Sequence, residues 1–284
     1  MKLEDTRELA REASQIIYDT CIAAGMGSTS SLVEDSRNKG NRDVVTGTDL
    51  AVQDGLKKTL TALIPGSSFQ SEEGPSESAG DLAGPNWTVD PVDGTVNYSR
   101  GIYPFTSAAL LRDGQDPVLG VVVDIQDRSA VIAIQGAGTF RLRGLDLDNV
   151  TEDRITVLAR PLNETLHSVM VTPKMDERAR IDSLGLMAFL LENTLGPRLL
   201  VSQAYEARCL AYGGLDSVVS LYSSGGWTSG VAKLLCSESG GIVLDIDPIE
   251  PGRKHGFALA SCDAVAGLLC QHLEHAGYSV SAVE

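Results

Sequence analysis

Apolar residues recur at helical spacing at Leu9, Ala13, Ile16 and Ile17, with acids and arginines between them, and predict an amphipathic helix near the start of the chain. Residues 27–42 are rich in Ser, Asn and Gly and predict a loop. A second helix is expected to begin with Thr48 as N-cap and Asp49 in its first turn, to bury Val52, Leu56, Leu60 and Leu63, and to stop at Pro65-Gly66. Residues 67–70 predict a short strand leading into Ser71-Glu72-Glu73-Gly74, and residues 74–86 an exposed loop. Trp87-Thr88-Val89 predicts a strand that runs straight into Asp90-Pro91-Val92-Asp93-Gly94-Thr95. Residues 107–111 and 118–123, around Asp113-Gly114, predict a hairpin, and the runs at 130–134 and 139–142 continue it.

The acidic stretch 144–153 suggests a division near residue 150, giving an N-terminal α+β half (1–150) and a C-terminal half (151–284). In the second half strand patterns at 169–171, 198–201, 215–221 and 242–244 alternate with helical ones at 181–191, 204–211, 231–236 and 264–275. Such alternation predicts an α/β layer architecture. The length of 284 residues suits two domains at about 150 residues each.

Composition narrows the function classes. The net charge is −15, from 23 Lys and Arg against 38 Asp and Glu, the wrong sign for a nucleic-acid or anionic-membrane binder. The N-terminal MKLEDTRELAREASQ is charged and has no apolar core, so no signal peptide is expected. No apolar run approaches the roughly 18 residues of a membrane span. Cys21, Cys209, Cys236, Cys262 and Cys270 are odd in number and lack C-x-x-C spacing, and predict buried free thiols in a reducing cytoplasm.

The chemistry is concentrated in residues 87–98, WTVDPVDGTVNY. A strand delivers Asp90 at its carboxyl end, and Pro91 has no N–H to continue the ladder, so the chain turns. Asp93 follows three residues on, with the Val92 carbonyl between the two acids. Gly94 permits close backbone approach, and Thr95 offers a hydroxyl and an N–H. Two carboxylates and a carbonyl are hard oxygen ligands suited to Mg²⁺, and a helix start beside them suits an anion. The plain alternative is a surface Asp-Pro/Asp-Gly turn. Two further acidic elements stand upstream, DVVTGTD (43–49) and SEEG (71–74).

With DPVDGT (90–95) and, less faithfully, WTSGVAKLLCSESGG (227–241), these elements resemble the inositol monophosphatase family in order and spacing over residues 39–244. The resemblance implies a layered α-β-α-β-α sandwich, Mg²⁺ as cofactor with Mn²⁺ as a substitute, a small phosphorylated substrate, a homodimer, and hydrolysis of a phosphate monoester by metal-activated water. It implies that Glu72, Asp90 and the Val92 carbonyl ligate a first metal, and that Asp90 and Asp93 share a second. Glu72 and Thr95, with Asp49 behind Thr95, then activate the attacking water, and the backbone of Gly94 and Thr95 holds phosphate.

The match breaks at Thr228, where the family has a metal-binding aspartate after the tryptophan. The stretch 217–224 also lacks the family's sugar-binding glutamate, so the substrate pocket is rebuilt, with Ser202, Gln203, Leu221 and Thr228 as its candidate residues; Leu221 and Tyr222 read either as strand core or as contacts for a less polar or aromatic group. Thr228 motivates two alternatives: a non-hydrolytic reaction on a phosphorylated or pyrophosphorylated substrate, or a catalytically impaired binding protein. Four minor features carry bland readings. His272 and His275 read as a solvated helix face, Gly136–Gly138 as a hairpin turn, Ser223–Gly226 as a loop, and Lys39 as either a solvated lysine or a phosphate contact.

Overall fold

The computed structural model describes residues 3–27, 36–40, 43–74, 84–222, 226–250 and 252–283. Helix α1 (Leu3–Ala23) buries Ala10, Ala13, Ile17 and Cys21 along one stripe. A two-stranded ribbon, β1 (Ser36–Gly40) with β2 (Asp43–Thr46), occupies part of the expected 27–42 loop. The side chains of Lys39 and Asp43 lie outside the described ones, as do residues 28–35 of that loop and 75–83 of the next.

Helix α2 (Gly47–Leu63) buries Val52, Leu56 and Leu60. Its N-cap is Thr46, not Thr48. The reason is a reciprocal pair: the Asp49 N–H donates to Thr46 Oγ1 at 3.2 Å, and the Thr46 N–H donates to Asp49 Oδ2 at 2.9 Å.

Both helices cover one face of a seven-stranded sheet: β3 (Ser68–Ser71), β4 (Pro85–Asp93), β5 (Thr106–Asp113), β6 (Asp116–Asp124), β7 (Ser129–Ile134), β8 (Gly138–Arg143) and β9 (Thr151–Ile155), in that order. β3 and β4 are parallel and the remaining pairs antiparallel. The sheet therefore runs on to Ile155. Gly136–Gly138 forms the β7–β8 turn, as expected.

The second half builds a six-stranded sheet from β10 (Leu166–Val169), β11 (Gly196–Arg198), β12 (Ser217–Ser220), β13 (Ile242–Pro248), β14 (Gly256–Ala260) and β15 (Tyr278–Ala282), ordered β11-β10-β12-β14-β13-β15. Helices α4 (Glu177–Asn193) and α7 (Asp263–His275) cover its outer face through Leu186, Leu190, Leu269 and Leu273. Helices α5 (Gln203–Ala211) and α6 (Ser229–Glu238) form the middle layer. On one side Ala204, Val231, Leu234 and Leu235 meet Leu110, Val122 and Val131 of the first sheet. On the other, Ala207, Leu210 and Ala232 meet Val218, Val243 and Leu259 of the second. The layers run α-β-α-β-α, so the middle helices join two cores into one stack.

Cys21, Cys209 and Cys236 are buried free thiols, while Cys262 and Cys270 are only partly covered. His272 departs from the solvated-face reading: its ring stacks on Phe189 at 4.5 Å, between α7 and α4. Among the described residues no helix is long and apolar enough to cross a membrane.

Candidate active site

The site forms where β4 ends. β4 pairs with β5 in regular register from Pro85 to Asp90, but Asp90 faces Ala108 and Asp93 faces Thr106, so one extra residue is bulged out. Pro91, which cannot donate to the ladder, sits at that bulge. Gly94 follows at φ +89° and turns the chain into the short helix α3 (Thr95–Ser99). β3, parallel to β4, brings Glu72 alongside, and the Glu72 N–H donates to the Val89 carbonyl at 3.2 Å.

Glu72, Asp90, Val92, Asp93, Gly94, Thr95, Gln203 and Thr228 all line one cavity of about 360 Å³. Asp49 and Ser202 stand behind its wall. Thr95 Oγ1 lies 3.1 Å from Asp49 Oδ1 and 2.8 Å from the Val92 carbonyl, so its single proton serves one or the other. A larger cleft, about 700 Å³, lies between α1 and the first sheet around Leu9, Glu12, Leu63 and Arg112, and none of the acidic motifs reaches it. The chemistry, not the volume, identifies the smaller cavity as the site.

Asp93 is held by the N-terminus of α5. Its carboxylate accepts from Ser202 Oγ at 2.6 Å, the Ala204 N–H at 2.9 Å and the Gln203 N–H at 3.1 Å. Burial pushes its pKa up to about 6, against the lowering effect of those three donors. Asp90 is pushed further, well above the usual carboxylate range. Burial is the main cause, then the charges of Glu72 and Asp93, a hydrogen bond with Glu72, and the charge of Asp49. Lys174, in the segment after β10, brings its ammonium to 3.9 Å from Glu72.

Among the described residues, no three acidic, imidazole or thiol groups stand close enough together to hold a metal ion as they are. The donor chemistry fits one nonetheless. Asp90 and Glu72 are hard oxygen donors packed so closely that Asp90 resists ionisation, and a hard dication relieves that crowding where protons otherwise must.

Two candidate residues are placed differently from expectation. Leu221 is not in the cavity: its side chain is buried with Val219, Leu244 and Ala258 in the core of the second sheet, and the next residue, Tyr222, lines the cavity instead. Ser202 is fully buried beneath Asp93 and acts on that carboxylate rather than on the open cavity. Residues 223–225 of the expected Ser223–Gly226 loop lie outside the described residues. Thr228 Oγ1 donates to Gln203 Oε1 at 2.6 Å, so a neutral pair stands where the resemblance leads one to expect a carboxylate.

Sequence reasoning missed Lys174 and its neighbours Met170, Val171 and Pro173. The available signal was topological: β10 and β12 are parallel neighbours, so the segments after them emerge at the same sheet edge. It also missed Glu206, a fully buried acid of α5 whose Oε1 accepts from the Val201 N–H at 3.1 Å and holds that residue at φ +56°. Burial pushes the Glu206 pKa up to about 8, and the charge of Asp93 adds to the effect.

The profile of the Inositol monophosphatase family matches residues 2–281. The chain belongs to this family. It is 28% identical over 212 residues to Inositol monophosphatase 2 of Solanum lycopersicum, covering 73% of this chain and 77% of that protein. Among solved structures, a Thermotoga maritima IMPase superposes with a TM-score of 0.74 at 21% identity over 96% of this chain and all of that one. The extragenic suppressor protein suhB of Bartonella henselae gives 0.76 at 21% identity over 95% of this chain and 98% of that one. Membership supports a phosphatase-type role on a small phosphorylated metabolite.

Two predictions arise from this geometry. A Cβ on Gly94 would stand 3.0 Å from the Pro104 carbonyl and 3.2 Å from Ser202 Cβ. Gly94→Ala is expected to lower stability by about 1–2 kcal/mol through the left-handed backbone alone, measured as a shift in the urea midpoint.

The second prediction concerns pH. Asp90 and Glu206 bind protons more tightly folded than unfolded, so folding takes up protons and stability falls as pH rises towards their folded pKa values. Buried His167, pushed down to about 4, acts the opposite way, but only up to the ordinary histidine range. From about pH 6.5 to 8, therefore, the metal-free protein should lose on the order of 1 kcal/mol per pH unit, seen as a falling Tm. A flat or rising Tm over that interval would contradict these assignments.

Proposed function

We propose that this cavity is the active site of a Mg²⁺-dependent phosphatase that hydrolyses a phosphate monoester of a small metabolite. The observation that carries the reading is the crowding of Asp90 by Glu72, Asp93 and Asp49 beside a helix-opening Gly-Thr turn. Glu72, Asp90 and the Val92 carbonyl are the groups that would hold the cation, with Asp93 adjoining, and Mn²⁺ would substitute by the same hard-oxygen chemistry. When bound, the cation supplies Lewis acidity towards water and the phosphoryl oxygens.

The remaining work falls to the chain. The Gly94 and Thr95 N–H groups point the phosphate, while Asp49 orients the Thr95 hydroxyl. Thr95 in turn positions a water for in-line attack on phosphorus. Glu72 accepts a proton from that water as the new P–O bond forms and the ester P–O bond breaks, and returns it to the departing alkoxide, which leaves as the alcohol.

Hydrolysis in ¹⁸O-labelled water tests this route. Attack at phosphorus places one label in the released phosphate and none in the alcohol. Label in the alcohol, or a product without free phosphate, would overturn it and favour the non-hydrolytic alternative.

A further inference from the structure

Two unlike groups of side chains line the cavity. One is polar and acidic, with Glu72, Asp90, Asp93 and Thr95. The other is apolar and aromatic, with Met170, Val171, Pro173, Val201, Tyr222 and Trp227. Of the remaining lining hydroxyls, Thr172 Oγ1 accepts from the Lys174 N–H at 3.2 Å, and two others donate within the wall. Ser220 Oγ donates to the Tyr222 carbonyl at 2.7 Å, and Thr228 Oγ1 donates to Gln203 at 2.6 Å.

Among the described lining residues the carboxylates are Glu72, Asp90 and Asp93, which form one cluster. A polyol brought here would bury several hydroxyls, each needing a partner, against a wall that supplies few. A flat apolar group needs none, and gains contact with two half-buried aromatic rings. The Tyr222 ring is fixed from outside: the Lys254 ammonium lies 4.5 Å from its centroid, and Lys254 Nζ donates to its hydroxyl at 3.1 Å.

Resting on the phosphatase reading, we propose that the substrate is a phosphate monoester whose alcohol carries an aromatic or similarly flat apolar group, and that Trp227 and Tyr222 select it. The family's name points to a polyol ester. This lining, with the Ser220 and Thr228 hydroxyls tied back and its carboxylates all in the acidic cluster, points to the opposite chemistry.

Two readouts test the assignment on the whole wild-type chain. The first is kcat/KM with Mg²⁺ for 2-phenylethyl phosphate against glycerol 2-phosphate and myo-inositol 1-phosphate. The aromatic ester is expected to be favoured by about tenfold or more, and Trp227→Ala to raise its KM and erase that preference, with Trp227→Phe restoring much of it. Equal or greater kcat/KM on the polyol esters overturns the proposal.

The second readout needs no catalysis. The chain has two tryptophans, and Trp87 is fully buried in the first core, so acrylamide quenching reports on Trp227. 2-Phenylethylphosphonate should protect that fluorescence, while 2-hydroxyethylphosphonate at the same concentration should not. Quenching unchanged by the aromatic phosphonate overturns the proposal. Protection without hydrolysis of any ester supports the pocket chemistry and sinks the phosphatase reading instead, so the two failures are told apart.

Discussion

Asp90→Asn is expected to cut turnover severely yet raise the melting temperature of the metal-free protein. Both halves follow from one fact: the Asp90 carboxyl is buried, 5% exposed, among Glu72, Asp93 and Asp49. In the absence of a cation this charge is a liability, because burial and three like charges all oppose its ionisation. The amide keeps the shape and removes the charge, so the unliganded fold gains. A rise of a few degrees in Tm is expected near pH 8, where the wild-type penalty is larger than in acid. The same change removes the central hard donor, so kcat should fall by roughly 10³-fold, and the stabilisation that Mg²⁺ gives the wild type should shrink or vanish. Thermal melts with and without Mg²⁺, alongside phosphate release, check all three. A variant that melts lower than wild type in EDTA would show that Asp90 is held by compensating donors.

The largest expected effect on stability lies away from the cavity, at Arg208. This α5 side chain is 1% exposed and reaches across to the first sheet. It pairs with Asp124 through a short hydrogen bond, and its Nη2 donates to Asp127 Oδ2 and Ser129 Oγ, both at 2.8 Å. Asp124 also accepts from Tyr103 Oη at 2.6 Å and from the Gln126 and Asp127 N–H groups at 3.0 Å. Burial opposes the charge on Asp127, yet Ser129, Arg141 and Arg208 hold its pKa down at about 2.

Arg208→Met leaves Asp124 buried without its cation, which for a buried pair costs about 3–5 kcal/mol. Adding Asp124→Asn should recover part of that loss, since the stranded charge is what costs most. Urea denaturation of the single and double variants measures both. Because α5 also presents Ser202, Gln203 and Ala204 to Asp93, the single variant should raise KM as well as lower the urea midpoint.

What was legible in the sequence, and what was not, divides along physical lines. The turn after β4 could be read because Pro91 and Gly94 each permit few conformations, and the acids around them then have a narrow set of directions. The α1 and α2 stripes could be read because helical spacing of apolar residues is a local signal. The N-cap of α2 was misplaced from Thr46 to Thr48 because both are threonines near Asp49, and only the reciprocal bond with Asp49 decides between them.

Leu221 and Tyr222 were harder. Adjacent residues at a strand end face opposite ways, and which one faces the cavity is set by the pairing of β12 with β10 and β14, information that no local pattern holds. Strands β9, β14 and β15 were missed for a related reason, since each is stabilised by long-range partners in sheets assembled from distant segments. Arg208 left a signal that went unused: an arginine in the largely small and apolar run from Ala207 to Ala211 is either exposed or paired.

The measurement that bears most directly on the central claim is inorganic phosphate release by the wild-type chain from a panel of sugar, polyol, nucleoside and aromatic monophosphates, with Mg²⁺ and with EDTA. The account predicts release from at least one monoester that requires Mg²⁺ and returns when Mg²⁺ is restored. Release that persists in EDTA, or no release from any monoester at saturating Mg²⁺, would contradict it.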